Sequence, residues 1–163
     1  MELQTLSLTV EDGIARVTMI RAAELNTMNR AFWTELITVF EAIDADTSVR
    51  AVVIASTGKH FSAGLDLKMA AGSLGDGGGN DLGRARESFR RHVKHMQDTF
   101  TVVDRCRVPV IAVVQGGCIG GGVDFVTACD MRVGTADCFF TIQEINIAIV
   151  ADVAELKANP NRV

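Results

Sequence analysis

The segment Pro109-Val110-Ile111-Ala112-Val113-Val114-Gln115-Gly116-Gly117-Cys118-Ile119-Gly120-Gly121-Gly122-Val123-Asp124 joins a β-rich apolar run to a cluster of glycines. An apolar, helix-compatible stretch, Phe125 to Cys129, follows with a carboxylate at its mouth. Glycines crowded at a strand-to-helix junction let main-chain N–H groups approach a ligand closely, and a helix N-terminus adds partial positive charge. Gly116, Gly117, Gly120, Gly121 and Gly122 are more than a tight turn requires. The chemistry they suit is the holding of an anion. No Gly-Lys-Ser/Thr follows, which argues against a nucleotide P-loop, and no acidic residue stands where a dinucleotide fold would need its ribose partner. Negative charge developing on a carbonyl oxygen fits better.

A second glycine turn, Gly58-Lys59-His60-Phe61-Ser62-Ala63-Gly64-Leu65-Asp66-Leu67, leaves another apolar run that ends near Ala55. Two such turns meeting at one edge of a sheet could each donate a main-chain N–H to the same oxygen, which is how an oxyanion hole is built. Three carboxylates complete the candidate chemistry: Asp124, Glu144 in Thr141-Ile142-Gln143-Glu144-Ile145-Asn146, and Asp152 in Ile149-Val150-Ala151-Asp152-Val153. All three sit in apolar context, where a carboxylate is most costly and its proton affinity most easily tuned to a task.

The elements that must position these groups alternate between strand and helix. Residues 3 to 10 and 14 to 20 alternate apolar and polar around Glu11-Asp12-Gly13, the pattern of a β-hairpin. Asn29 can cap a helix whose apolar residues Phe32, Trp33, Leu36, Ile37, Phe40 and Ile43 recur at helical spacing. Val49 to Ala55 reads as a buried strand, Gly72 to Gly83 as a mobile surface loop, and Arg84 to Cys106 as a long polar helix. The glycine strand comes next, then a short helix to Cys129, a strand around Asp130 to Val133 and another around Cys138 to Ile142. This order predicts a layered α/β domain with parallel strands.

A chain of 163 residues, 48% of them hydrophobic, can build one substantial core. The net charge of −4 without a basic patch disfavours nucleic acid and anionic membranes as partners. No apolar stretch is long enough to span a bilayer, and Met1-Glu2-Leu3 resembles no targeting peptide, so a cytoplasmic location is expected. Cys106, Cys118, Cys129 and Cys138 lack C-x-x-C spacing and read as reduced, buried thiols. His92 and His95 lack companion ligands, so no metal is expected.

His60 to Leu67 and Gly117 to Asp124, with Leu25-Asn26-Thr27-Met28-Asn29 ahead of them, resemble the enoyl-CoA hydratase/isomerase (crotonase) superfamily from roughly Leu6 to Val153. The resemblance implies a spiral of ββα units. It also implies an acyl-CoA thioester substrate whose carbonyl sits in an oxyanion hole formed by the N–H groups of Ala63 and Gly121. Ala22, Ala23, Leu25, Ala63, Gly64, Leu65, Asp66, Leu67, Gly120 and Gly121 would line the coenzyme A site. Within the superfamily, the filling of all three acidic positions resembles Δ3,5-Δ2,4-dienoyl-CoA isomerases, whereas hydratases usually carry glycine where Asp152 stands. The isomerase reading gives Asp152 the C2 proton, Glu144 the remote C6 proton, and Asp124 the tuning of the pair. No cofactor is implied, coenzyme A being part of the substrate. Alternative readings are a 2-enoyl-CoA hydratase, an acyl-CoA-binding module without turnover, and a structural fragment that folds only with a partner chain. Superfamily members continue well beyond Asp152 with helices that build homotrimers and hexamers. Residues 1–153 are therefore read as the core domain and 154–163 as a divergent tail, a chain expected to lack that helical trimerisation region.

Overall fold

The computed structural model describes residues 2–68 and 81–147. Strands β1 (Leu6–Glu11) and β2 (Ile14–Met19) form the expected antiparallel hairpin, with Leu6 opposite Met19 and Glu11 opposite Ile14. Its turn places Asp12 and Gly13 at positive φ, as a two-residue connection of this kind demands. Helix α1 (Arg30–Ala45) begins where Asn29 was expected to cap it, the Phe32 N–H donating to Asn29 Oδ1 at 3.0 Å. Arg107 closes the other end by donating to the carbonyl oxygens of Ile43, Asp44 and Asp46.

Strands β3 (Ala51–Ser56), β4 (Val110–Val114) and β6 (Met131–Gly134) extend the hairpin into a five-stranded sheet of order β1-β2-β3-β4-β6, parallel from β2 onward. A small parallel pair, β5 (Gly117–Ile119) with β7 (Phe139–Thr141), makes a second layer. The ββα logic is visible in how the chain visits both layers. After β3 it crosses to bridge Ser62 to Cys118 of β5 and later enters helix α2 (Leu82–Asp104). After β4 it forms β5 and then helix α3 (Gly121–Thr127). After β6 it forms β7.

One face of the sheet is buried through Ala15, Val17, Met19, Val52, Ile54, Val110, Ala112 and Val114, alternating with more exposed neighbours as period-2 geometry requires. An aromatic group lies within this core. Phe125 of α3 stacks on Phe100 of α2 at 5.4 Å and meets Phe32 of α1 edge-on at 5.7 Å, while Phe61 lies 6.3 Å away. Phe61 directly precedes Ser62, and Phe125 directly follows Asp124, so the core anchors both glycine turns by an adjacent phenylalanine.

Two expectations shift. The short helix starts at Gly121 rather than Phe125, so the glycines are themselves its first turn. Only Cys118 and Cys129 are buried, while Cys106 and Cys138 are partly exposed; all four thiols are free. The expected surface loop Gly72 to Gly83 lies mostly outside the described residues, as does the proposed tail 154–163.

Candidate functional site

The two glycine turns do converge. Gly64 adopts φ +81°, and a β-carbon there would stand 2.6 Å from Ile119 O and 3.0 Å from Gly121 N, both main-chain atoms. Only glycine permits that conformation and that approach. Several bonds lock the turns together from outside. Gln115 Nε2 donates to Ser56 O at 3.0 Å, the Phe61 N–H to Gln115 O at 2.9 Å, and the Gly117 N–H to His60 Nδ1 at 2.9 Å.

Within the first turn the N–H directions decide which groups can serve a ligand. The Ser62 N–H donates to Gly117 O at 3.2 Å and the Ile119 N–H to Ser62 O at 3.0 Å, so Ser62 faces β5. The Ala63 N–H donates to Leu25 O at 2.9 Å. That bond removes Ala63 from the oxyanion hole expected from the sequence, because a main-chain N–H carries one hydrogen. The Met28 N–H donates to Gly64 O at 2.8 Å and the Asp66 N–H to Met28 O at 3.1 Å. In a parallel bridge with that bonding, the N–H of the intervening residue, Leu65, points away from Met28. It lies beside the start of α3: a β-carbon on Gly121 would be 3.8 Å from Leu65 N. Neither the Leu65 nor the Gly121 N–H meets an acceptor among the described residues.

Glu144 hangs over the same glycines. It opens a short 3-10 turn, Glu144–Ile147, following β7, and its Oε1 would be 3.1 Å from a β-carbon on Gly120, which has φ +52°. Its Oε2 is buried with no hydrogen-bond partner among the described residues. Asp124 is 2% exposed and occupies the first turn of α3, one residue before Phe125. Asp152 lies outside the described residues.

The residues expected to bind coenzyme A divide. Gly64, Leu65, Gly120 and Gly121 line the convergence itself. Leu25, with φ +52°, and Leu67 are solvent-exposed beside it, and Ala22 packs against Gly58 at the start of a 3-10 turn, Ala22–Glu24, that also carries Ala23. The Asp66 carboxylate is engaged within the chain. It pairs with Arg21 at 3.7 Å and accepts from Thr27 Oγ1 at 3.3 Å and from the Lys68 N–H at 3.1 Å. Among the described residues, no three His, Cys, Asp or Glu side chains group as a metal ion would need, and no helix is long and apolar enough to cross a membrane.

The enoyl-CoA hydratase/isomerase family matches residues 9–163. The chain belongs to that family. A mitochondrial Δ3,5-Δ2,4-dienoyl-CoA isomerase of Mus musculus is 44% identical over 147 residues, which cover 90% of this chain and 45% of the relative. A peroxisomal Δ3,5-Δ2,4-dienoyl-CoA isomerase of Arabidopsis thaliana is 37% identical over 162 residues, 99% of this chain and 58% of the relative. A solved enoyl-CoA hydratase/isomerase from Marinobacter aquaeolei superposes with a TM-score of 0.80 at 26% identity, covering 90% of this chain and 55% of that one. The crotonase-like fold expected from the glycine motifs is thus the fold observed, and the chain spans about half the length of the relatives it matches. The expectation of a cytoplasmic location does not stand, since these relatives are mitochondrial and peroxisomal. It rested on a lack of targeting features at the N-terminus, a weak signal beside the organelles of relatives this similar.

The sequence does not tell which N–H groups of the first turn are left unengaged. Leu65 was grouped with substrate-binding residues and Ala63 with the oxyanion hole. The left-handed turn at Gly64 and the Met28 bridge, which no local motif encodes, settle which N–H groups are already bonded.

Proposed function

We propose that this family member binds an acyl-CoA thioester with its carbonyl oxygen between the N–H groups of Leu65 and Gly121, and that it isomerises 3,5-dienoyl-CoA to 2,4-dienoyl-CoA. The observation that carries this reading is the pair of unengaged main-chain N–H groups brought together by two glycine turns, with the Glu144 carboxylate beside them. The similarity to dienoyl-CoA isomerases supports the choice of substrate.

The reaction balances without an added cofactor. A base removes the C2 proton, and the C2–H electron pair moves toward the thioester oxygen, giving an enolate conjugated through the 3,5-diene. Two N–H donors aimed at that oxygen stabilise charge that is larger in the transition state than in the bound ester. Protonation at C6 then returns the electrons along the chain and leaves the 2,4-diene. One carboxylate cannot easily reach both carbons. In this proposal Asp152 takes the C2 proton, Glu144 delivers one at C6, and Asp124, buried one helical turn along, tunes the pair. The role of Asp152 rests on its place in the sequence pattern.

Incubating the chain with a 3,5-dienoyl-CoA tests the reading. The expected outcome is growth of the conjugated 2,4-dienoyl thioester absorbance, with no hydroxylated product. Hydration of 2-enoyl-CoA as the dominant reaction would move the protein to the hydratase reading, and a folded chain without acyl-CoA affinity would overturn the site itself.

A further inference from the structure

Behind the two proposed donors lies a polar network built on two buried side chains. Asn26 is 1% exposed and Ser62 fully buried. Asn26 takes a left-handed conformation, φ +52°, and its Nδ2 donates to Thr57 O at 2.7 Å and to His60 O at 3.3 Å. Its main-chain carbonyl accepts from Ser62 Oγ at 2.9 Å. The same Ser62 oxygen accepts the Gly64 N–H at 3.0 Å. A single buried hydroxyl therefore donates to one loop and accepts from the next residue but one of its own.

The consequence concerns Leu65. From Phe61 onward, each main-chain N–H ahead of it is consumed: Phe61 by Gln115 O, Ser62 by Gly117 O, Ala63 by Leu25 O, and Gly64 by the Ser62 hydroxyl. Leu65 is the first in this run whose N–H has no acceptor among the described residues. The Gly64 bond fixes the peptide plane between Ala63 and Gly64, and with it the left-handed rotation that turns the next N–H toward Gly121. We infer that Ser62 is a positioning residue for the oxyanion hole, its hydroxyl, held by Asn26 O, orienting the Leu65 N–H through Gly64. This inference rests on the acyl-CoA reading given above.

Removing the hydroxyl leaves the Gly64 N–H buried and unpaired and frees that peptide to rotate. Misplacement of a catalytic group by about 1 Å costs on the order of 10²-fold in rate. In Ser62→Ala the expected loss is about ten- to a hundred-fold in kcat with KM nearly unchanged, because the bulk of an acyl-CoA is held elsewhere. The distinguishing readout is the thioester carbonyl stretch of bound 2,4-hexadienoyl-CoA in difference infrared spectra. Hydrogen bonds in the hole lower that frequency in the wild type, and Ser62→Ala should lose a large part of the shift while still binding. Ser62→Cys, which keeps a hydrogen-bonding group of weaker strength in a slightly larger side chain, should fall between the two, and it is the variant to read if Ser62→Ala does not fold. A folded Ser62→Ala or Ser62→Cys with the full wild-type shift and kcat overturns the positioning role while leaving the hole intact. A wild-type complex with no carbonyl shift overturns the hole, and this role with it.

Discussion

Gly64 and Gly121 face one another across the site, yet an added methyl group should do opposite things at each. At Gly64 the backbone has φ +81°, which costs a residue with a β-carbon about 1–2 kcal/mol. The new carbon would also stand 2.6 Å from Ile119 O and 3.0 Å from Gly121 N, and neither is the end of a flexible side chain. Overpacking of this kind adds roughly 1–3 kcal/mol. Gly64→Ala should therefore lose roughly 2–5 kcal/mol of stability, a fall in melting temperature of about 4–20 °C for a chain of this size. At Gly121 the φ is not positive, and the nearest atom to an added carbon is the Met28 sulfur at 3.3 Å, part of an adaptable side chain. Alanine in the first turn of α3 also gains helix propensity, so Gly121→Ala should melt within about 1 kcal/mol of wild type. Its methyl, however, would lie 3.8 Å from Leu65 N, in the space proposed for the thioester oxygen. Turnover of a 3,5-dienoyl-CoA should then fall about 10²-fold or more. Circular-dichroism melts and the dienoyl absorbance assay read the two effects separately. Equal melting of both variants would refute the close approach of the turns, and a folded Gly121→Ala with normal turnover would refute the place of the oxygen.

The carboxylates give a second expectation: Asp152→Asn and Glu144→Gln should each abolish isomerisation with substrate binding retained, and Asp124→Asn should be milder; near-normal turnover in Asp152→Asn would remove it from the proton path. Burial raises the proton affinity of Glu35, but hydrogen bonds from Thr5 Oγ1 and from the N–H groups of Gln4, Thr5 and Leu6 outweigh it and hold its pKa below the usual carboxylate value. Its stabilisation is therefore complete above the unfolded-state pKa and is lost as pH falls through the lower folded-state one. Glu35→Gln should cost under about 1 kcal/mol at neutral pH, solvent screening the charge at this partly exposed site, and flatten the acid limb of a stability–pH curve, whereas an unchanged acid limb would contradict the bonding. Burial pushes the Cys118 and Cys129 thiols up to about 12, so an aromatic disulfide reagent at pH 8 should titrate no more than Cys106 and Cys138 in the folded chain and all four thiols in denaturant. Rapid native labelling of Cys118 would show that β5 opens.

How far the sequence could be read depends on the range of the interaction that fixes each feature. The hairpin, the Asn29 cap and the strand at 51–56 are set by neighbours a few residues apart, and their spacing announces them. The start of α3 does not announce itself, because glycine is a poor helix former and Gly121 and Gly122 are helical here through tertiary contact. A β-carbon on Gly122 would be 3.2 Å from Ser62 Cβ, so the helix begins where the first turn presses against it. The same distinction explains the misplaced donor. Glycine-rich letters reveal that a main chain comes close to something, but the left-handed turn at Gly64 between Ala63 and Leu65 re-aims the chain, so the bonded and unengaged N–H groups cannot be told apart by spacing. Choosing between Ala63 and Leu65 needs the partners Leu25 O and Met28, which lie some 40 residues back in the sequence. Ser62 is hidden for a related reason. A serine in a Phe-Ser-Ala-Gly turn reads as a turn residue until its hydroxyl is seen spanning Asn26 O and the Gly64 N–H, both buried. The type of site proposed here, two glycine turns around one oxygen, was therefore legible in the sequence. Which main-chain atoms are unengaged there follows from pairings across the fold.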